Sequence, residues 1–443
     1  MKRIISLILM LFIVLSLFVG CDDMADEPEN TTVGTTDETT QATTVKPQVI
    51  DVWDGTIASS FSSGSGTEAD PYCIKTGAEL AYLASSVNSG ASYAGKYVVL
   101  VNDINLNNVE WTPIGNGEHA FEGNFNGNDN TITNLKITDA TKYSEFSPEI
   151  NRTYTYGVAG LFGFCSNVNI SNIGINYANI SIKSNYDYDY LYMGVLAARI
   201  DSNTISDISN INIGNAEIST VGGTYTGKAK SLSYYCGGIS GQIMLSEGVE
   251  ANMSRLQSEV KIFCEEGCFS TNFMGSIVGR IYVKNSKLNC SDFVGYLDLK
   301  WNFMEPAYNF AGAFGEIGNQ NSKTNISNAF CKMNLNYYDY DHDYNMSTTA
   351  YRVREVNAIG YISHYKNTDG TKTGRSELKN LFGCVKPSDE NAGFSEPIYE
   401  LYPSTESAFW NETNCQGCES LPENHGLDES VWDCSDPSAP KLR

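Results

Sequence analysis

Tyrosine and aspartate alternate in two segments of this 443-residue sequence, at residues 186–190 and 337–344. On an extended backbone, alternation places the aspartates on one side, where their oxygens suit Ca²⁺, and the tyrosines on the other. Tyrosine rings can stack on sugars or on a partner protein. The commoner role of such a segment is a solvated loop whose tyrosines rest on neighbouring chain. The candidate binding residues are therefore Asp187, Tyr188, Asp189, Asp339, Tyr340, Asp341 and Asp343.

Catalytic motifs are missing from the sequence. None of the four histidines forms the His-Glu-x-x-His zinc motif, and neither a Gly-x-Ser-x-Gly elbow nor a phosphate-binding loop occurs. We therefore expect a non-catalytic protein without a resident cofactor. Calcium, at the aspartates named above, is the one ion that the sequence suggests. The alternative is a polysaccharide lyase or hydrolase, which needs a basic residue or two paired acids in a groove.

Cysteines divide into one at the N-terminus and 11 further along the chain. In an exported protein these invite disulfides, and the closest sets are Cys264 with Cys268 and Cys415 with Cys418, near Cys434. A redox pair or half of a zinc site remains the alternative for the Cys-x-x-Cys. Three others, Cys165, Cys331 and Cys384, follow apolar strand patterns, so we expect them to be buried.

The N-terminus carries the signature of export. Residues 1–20 combine Lys2 and Arg3 with an apolar run, as in a signal peptide. The run ends Leu17-Phe18-Val19-Gly20-Cys21, which resembles the lipobox of bacterial lipoproteins, although Phe18 departs from the usual leucine. This resemblance implies acylation at Cys21, attachment to a membrane of the bacterial envelope and exposure at the cell surface. Residues 21–48 are rich in threonine and predict a disordered tether.

The charge balance argues against nucleic acid as a partner. Lys and Arg total 29 against 52 Asp and Glu, giving a net charge of -23. A protein without basic excess gains little from releasing phosphate counterions. We expect a glycan or a surface protein as the partner instead.

Two short patterns recur along the body. The sequence Ile170-Ser171-Asn172-Ile173 has relatives centred on Asn134 and Asn210, two equal steps of 38 residues. Upstream of each copy lies an apolar stretch with a small residue in the middle. We take the small residues as equivalent positions: Gly163, Ala198, Gly241, Gly279, Gly315 and Gly360.

These repeats predict an all-β solenoid, a parallel β-helix over residues 49–400. A coil cannot bury its inner face alone, so stacking supplies the core, and equivalent asparagines should form ladders of side-chain amides. Residues 77–87 have helical spacing and predict an N-terminal capping helix. Residues 401–443 contain Trp432 and Cys434, and we predict that they form a C-terminal cap.

The body resembles bacterial surface proteins with GLUG-type repeats, which also occur in non-catalytic parts of some immunoglobulin A-cleaving metallopeptidases. The resemblance rests on Gly160–Gly163 with Ile170–Ile173, Gly66–Tyr72, Phe121–Gly127 and the Trp432 segment. It implies a right-handed β-helix at the cell surface and no single activity. We therefore expect an adhesin-like protein that presents Tyr, Asp and Asn side chains to glycans or proteins.

Overall fold

The structure is a computed structural model, and it describes residues 50–148, 151–184, 188–204, 206–222, 232–246, 248–264, 272–301, 308–337, 355–357, 360–364, 375–387, 415–417 and 420–443. The chain divides into two units, Met1–Pro47 and Gln48–Arg443, and every described residue belongs to the second. The predicted signal peptide and the whole of the predicted tether, residues 21–48, therefore lie outside the described residues.

The described chain is nearly all β-strand, with one helix, α1 (Gly77–Asn88). The first fifteen strands are β1 (Ile50–Val52), β2 (Tyr72–Ile74), β3 (Tyr97–Leu100), β4 (Asp103–Asn105), β5 (Asn124–Thr133), β6 (Lys136–Ile137), β7 (Thr141–Ser147), β8 (Arg152–Ala159), β9 (Phe162–Ser166), β10 (Asn169–Asn176), β11 (Asn179–Ser184), β12 (Tyr190–Gly194), β13 (Ala197–Ser202), β14 (Ser206–Gly222) and β15 (Ser233–Gly237). The others are β16 (Ser240–Leu245), β17 (Glu250–Cys264), β18 (Asn272–Gly275), β19 (Val278–Lys284), β20 (Lys287–Trp301), β21 (Tyr308–Ala311), β22 (Phe314–Gln320), β23 (Lys323–Tyr337), β24 (Glu355–Asn357), β25 (Gly360–His364), β26 (Arg375–Pro387), β27 (Cys415–Gly417), β28 (Trp432–Asp433) and β29 (Lys441–Leu442).

Three large sheets contain almost all of these strands. Sheet 1 has 14 strands and runs β1-β4-β5-β10-β14-β17-β20-β23-β26-β27 along its main path. Sheet 2 has seven strands, in the order β24-β21-β18-β15-β12-β8-β7, and sheet 3 has six, in the order β25-β22-β19-β16-β13-β9. Between β8 and β26 the chain visits sheet 2, then sheet 3, then sheet 1, and repeats this circuit. Each circuit adds one strand beside its predecessor, in parallel.

Register within the sheets follows the sequence repeats. Ala198 lies between Gly163 and Gly241, and Gly241 is followed by Gly279 and Gly315, as the small-residue pattern predicts. Gly360 is shifted, because it pairs with Phe314 at an irregularity in the ladder. A Cβ atom on Gly241 would lie 2.6 Å from the carbonyl oxygen of Tyr235, so the neighbouring backbone leaves no space for a side chain.

Asparagine ladders run across sheet 1. Asn210 donates through Nδ2 to Asn172 Oδ1 at 2.7 Å, and Asn172 donates to Asn126 Oδ1 at 3.0 Å. Both Asn172 and Asn210 have left-handed backbones, with φ of 55° and 54°. The predicted ladder is confirmed at this pair.

Asn134, the third member of the predicted ladder, is placed elsewhere. Its Nδ2 donates to Asn105 Oδ1, and its backbone N–H donates to Asn176 O, so it lies at a different corner of the circuit. β5 pairs with β10 through a bulge, where Ser171 pairs with Asn126 but Ile173 pairs with Asn130. Beyond the bulge Thr133 pairs with Asn176, so Asn134 lies five residues past the level of Asn172, and the equal spacing of 38 residues is coincidental there.

The core lies between the three sheets and continues to the N-terminal helix. One cluster of buried apolar residues extends from Trp53 to Leu381. Helix α1 contributes Leu80, Leu83, Ala84 and Val87 to this cluster, and the Thr76 side chain accepts from Glu79 N–H at its start. The helix prediction for residues 77–87 is confirmed to within one residue at its end.

Within the predicted C-terminal cap, β27 is the last strand of sheet 1, beside β26, and residues 420–443 lie along the outer face of that sheet. Trp432 is fully buried against Val294, Phe330 and Phe382, whose neighbours in sequence face the main core. Tyr296 Oη donates to Pro440 O at 3.0 Å on the same face. Residues 420–443 thus lie beside β20, β23 and β26, whereas β27 takes the end position expected of the predicted C-terminal cap.

Candidate functional site

Tight bends join each strand of sheet 2 to the next strand of sheet 3. β12 ends at Gly194 and β13 begins at Ala197, and a Cβ atom on Gly194 would lie 2.1 Å from Ala197 O. Gly237 and Gly275 occupy the same place in the next two circuits, with similarly close carbonyl oxygens. Because only glycine leaves space for these backbones, the bend can be sharp enough to bring the outer faces of the two sheets together.

An aromatic column follows the outer face of sheet 2 beside these bends. Tyr192, Tyr235 and Phe273 are register partners on β12, β15 and β18, with ring centroids 4.9 and 5.2 Å apart. Their exposed fractions are only 4–6%. Leu191 and Met193, on either side of Tyr192, belong to the main core instead. The column is therefore a second, smaller cluster outside the main core.

A polar column faces it from sheet 3. Register places Arg199 next to Gln242, Gln242 next to Arg280, and Arg280 next to Glu316. The Arg199 guanidinium donates to both carboxylate oxygens of Asp201, at 2.9 and 2.7 Å. Arg280 Nε lies 2.7 Å from Glu316 Oε2. Each arginine is thus matched by a carboxylate, and the column has no excess charge.

The two columns are in direct contact. The Arg199 guanidinium lies 5.5 Å from the Tyr192 ring centroid and 5.8 Å from that of Tyr156. Arg280 lies 5.0 Å from the Phe273 centroid. Such separations allow cation–π attraction, which burial strengthens. We call the two columns together the aromatic–arginine strip.

Three tyrosines at the β8 end of the strip are partly exposed: Tyr154, Tyr156 and Tyr190. The Tyr156 and Tyr190 rings are stacked, with centroids 5.3 Å apart and planes 17° apart. Tyr154 lies 5.5 Å from Tyr190, and the Arg152 guanidinium lies 4.8 Å from the Tyr154 centroid. We call these three rings the tyrosine platform. It is the part of this region that can offer ring surface to a ligand.

Burial shifts the pKa values of the tyrosines in the strip, and neighbouring groups shift that of Arg199. Burial raises the pKa of Tyr235 to about 12, with Arg280 acting in the opposite direction. Burial likewise raises the pKa of Tyr192 well above its ordinary value. Burial lowers the pKa of Arg199, but Asp201 and Tyr143 outweigh this and hold the pKa well above the ordinary value. At neutral pH the tyrosines are therefore neutral hydroxyls, and Arg199 is charged.

Asp189 does not offer the exposed carboxylate that the sequence analysis predicts. It is 4% exposed, its Oδ1 accepts from Arg152 Nη2 at 2.5 Å, and its Oδ2 accepts from Thr155 N–H at 2.8 Å. The carboxylate anchors β12 to β8, because the strand pairing turns it toward its neighbour. The alternation rule failed here, since Tyr188 is also buried, at 7% exposure, and lies under Lys142.

The remaining predicted binding residues lie outside the described residues: Asp187, Asp339, Tyr340, Asp341 and Asp343. Their role in binding calcium or a partner stays a prediction. In the described part of the chain, no group of three or more His, Cys, Asp or Glu side chains is placed to hold a metal ion.

The cysteines follow the expectation of burial where they are described. Cys165, Cys331 and Cys384 are buried, and burial raises the pKa of the first two. Cys264 and Cys434 are free thiols. Their predicted partners Cys268 and Cys418 lie outside the described residues, as does Cys21, and only the backbone of Cys415 is described. The disulfides and the lipid anchor therefore stay predictions.

Sequence reasoning missed the strip, although a signal for it exists. An aromatic residue precedes the bend glycine by two positions in three successive circuits, as Tyr192-Met193-Gly194, Tyr235-Cys236-Gly237 and Phe273-Met274-Gly275. Arginine follows the bend at Arg199 and Arg280. The signal lies at outward-facing positions, whereas the apolar and asparagine positions define the repeat.

No family model matches the chain. A protein of Evansella cellulosilytica named "Putative Gly-rich membrane protein" is 31% identical over 122 residues, which is 26% of this chain and 12% of that protein. The chain thus spans about one-eighth of that relative's length.

One solved structure has a similar chain path. It is the crystal structure of a "putative immunoglobulin A1 protease" from Bacteroides ovatus, with a TM-score of 0.47 and 17% identity, covering 86% of this chain and 95% of that chain. A TM-score below 0.5 is too low to assign the fold or a function. What is established is a nearly all-β protein built on large parallel sheets. No helix in its described part is long and apolar enough to cross a membrane.

Proposed function

We propose that this protein is a lipid-anchored, non-catalytic binding protein of the bacterial cell surface. Its body is a right-handed parallel β-helix, and its tyrosine platform binds a neutral glycan. The observation that carries the binding proposal is the stacked, partly exposed pair Tyr156 and Tyr190, held over the buried aromatic–arginine strip.

The β-helix is supported by the order in which the chain visits the sheets. Each circuit from sheet 2 through sheet 3 to sheet 1 advances by one parallel strand, about 4.8 Å. In a solenoid each coil contacts only its neighbours, and the core is continuous along the axis. The single core cluster from Trp53 to Leu381 agrees with such a column. Right-handedness rests on the resemblance to GLUG-repeat proteins.

The proposed localisation rests on the first 48 residues. A basic and apolar segment ending at Gly20-Cys21 is the pattern of a lipoprotein signal. The name of the Evansella relative, a membrane protein, fits attachment to an envelope membrane. A threonine-rich tether of residues 21–48 would separate the anchored Cys21 from the folded body.

A neutral glycan suits the tyrosine platform because the arginines beside the platform are already paired with aspartates. Arg152 contacts Asp189, and Arg199 contacts Asp201, so neither arginine is free for a strongly anionic ligand. Tyrosine side chains give contact area at low entropic cost, and sugar rings have apolar faces that can pack against them. Phenol hydroxyls that stay protonated can donate hydrogen bonds to sugar oxygens.

Binding can be tested on an array of neutral and acidic polysaccharides. Removal of one platform ring, Tyr190→Ala, should weaken binding of the best neutral glycan by roughly two- to twelvefold, corresponding to about 0.5–1.5 kcal/mol per ring contact. The matched control is Tyr177→Asn. It removes a ring that is 57% exposed on sheet 1, and asparagine suits the left-handed backbone at that position. No bound glycan, or equal losses in both variants, would contradict the proposal.

The spacing of carboxylates supports a non-catalytic role. Asp201 on β13 and Glu316 on β22 are three strand steps apart in sheet 3, about 14 Å. Glycosidases hold their two carboxyl groups roughly 5–9.5 Å apart. In addition, each carboxylate contacts an arginine. Incubation with the bound glycan should release no reducing ends or unsaturated products, and their release would favour the lyase or hydrolase alternative.

A further inference from the structure

Four aromatic rings surround a pocket at the N-terminal end of the described chain. Phe61 and Tyr72 are stacked at 4.8 Å, Tyr82 meets Phe61 edge-on at 5.0 Å, and Tyr93 lies 6.2 Å from Tyr72. The cavity that these rings line, together with neighbouring serines and Lys96, measures about 340 Å³. Small-molecule sites typically occupy roughly 300–1,000 Å³, so the cavity suits a ligand of one sugar ring. It is formed by helix α1 and the loops beside it, on elements separate from the platform.

The wall of the pocket is fixed by buried contacts. Glu79, on α1, is 6% exposed and accepts from Ser62 N–H at 2.7 Å and from Lys75 N–H at 2.6 Å. This carboxylate ties the loop that carries Phe61 to the helix that carries Tyr82. Gly64 has φ of 93°, and a Cβ atom there would lie 1.8 Å from Pro71 O. The rings are therefore held in place before any ligand arrives, which lowers the entropic cost of binding.

The polar groups of the pocket define the charge of its ligand. Hydroxyl groups line it, among them Ser86 and Tyr93, which are hydrogen-bonded to each other at 3.1 Å. Lys96 is the one charged side chain in the lining, and no described carboxylate pairs with it. A cationic ligand would be repelled by this ammonium group. A ligand with one negative charge would neutralise it.

We infer that this pocket binds a single sugar residue that carries a carboxylate, as a uronic acid does. The rings would contact the apolar face of the sugar, the serine and tyrosine hydroxyls its hydroxyl groups, and Lys96 its carboxylate. This site goes beyond the proposed neutral-glycan platform, because it lies on different elements and selects for charge.

Two probes isolate the carboxylate: methyl β-D-glucuronide and methyl β-D-glucoside, which differ only at C6. Titration calorimetry on the whole protein should give binding of the glucuronide roughly tenfold or more tighter than that of the glucoside, as expected for a charge-assisted hydrogen bond. Lys96→Met should abolish this preference, and Lys96→Arg should retain it. Tyr82→Ala should weaken both ligands.

Controls separate loss of the site from loss of the fold. Lys261→Met removes an exposed lysine on β17 and should leave glucuronide binding unchanged. Circular dichroism and the unfolding midpoint establish that each variant is folded. Tyr190→Ala should also bind glucuronide normally, so failure of the platform proposal and failure of this one can be told apart. Absence of glucuronide binding, equal affinity for the two probes, or a preference that survives Lys96→Met overturns the inference.

Discussion

Substitution of Asn210 tests the asparagine ladder of sheet 1. The side chain of Asn210 donates to Asn172 Oδ1 at 2.7 Å, and its backbone is left-handed, with φ of 54°. Alanine would lose the hydrogen bond, at about 0.5–1.5 kcal/mol, and would strain the backbone, at about 1–2 kcal/mol. We therefore expect Asn210→Ala to lower the free energy of unfolding by about 1.5–3.5 kcal/mol.

Glycine at the same position separates the two contributions. It adopts the left-handed backbone without strain, so Asn210→Gly should show only the lost hydrogen bond, about 0.5–1.5 kcal/mol. The assay is guanidinium unfolding followed by circular dichroism, with the wild type and both variants measured side by side. Equal destabilisation by alanine and glycine would refute the backbone argument. No change in either variant would refute the ladder as a source of stability.

Three further substitutions or conditions probe the packing. Because burial raises the pKa of Tyr235 to about 12, from 10 in the unfolded chain, the stability due to its proton is complete below pH 10 and falls as pH rises toward 12; a free energy of unfolding that stays level or rises over that window would contradict this. Trp432→Ala should cost about 3–5 kcal/mol in the same unfolding assay, because the ring is fully buried against sheet 1; Val431→Ala, at a partly buried neighbour, should cost much less, and similar costs would contradict the contact. Gly241→Ala should cost about 1–3 kcal/mol, since the new methyl group meets the backbone of Tyr235 and Ala198; a variant as stable as the wild type would show that β16 has space for a side chain at this position.

The stacking of the repeats could be predicted because residues of the same type recur at equivalent positions of successive repeats. Small residues from Gly163 to Gly315 recur once per circuit, and the structure stacks them in one row. Helix α1 could be predicted because its apolar residues have helical spacing and Thr76 provides the N-cap. Both signals are local or periodic, and the packing of neighbouring circuits strengthens them.

Strand lengths and one register could not be predicted. The apolar runs of each repeat suggest short strands, yet β14 spans Ser206–Gly222 without interruption. The left-handed Asn210 lies within it, so the chain bends there without leaving the sheet. In the first circuits β5 contains a bulge, and Asn134 lies five residues past the level of Asn172. A spacing of 38 residues carries no information about such local insertions.

The candidate site escaped prediction for a geometric reason. Tyr192 and Arg199 each look like ordinary outward positions of an exposed strand. They meet because the bend at Gly194 folds the outer faces of sheets 2 and 3 together. Asp189 was misjudged for the related reason that strand pairing with β8 brings Arg152 to it. Contacts between separate strands decide both cases, and alternation within one segment cannot reveal them.

The most direct test of the stacked circuits is a distance between two residues far apart in sequence. Asp207 and Glu377 lie in one column of sheet 1, joined through Asn252, Asn289 and Asn325, which makes four strand steps. Spin labels introduced at these two positions through unnatural amino acids avoid the native cysteines. Double electron–electron resonance should give a narrow distribution that corresponds to a backbone separation of about 19 Å. A broad distribution, or a mean separation beyond about twice that value, would contradict the stacking of one circuit on the next.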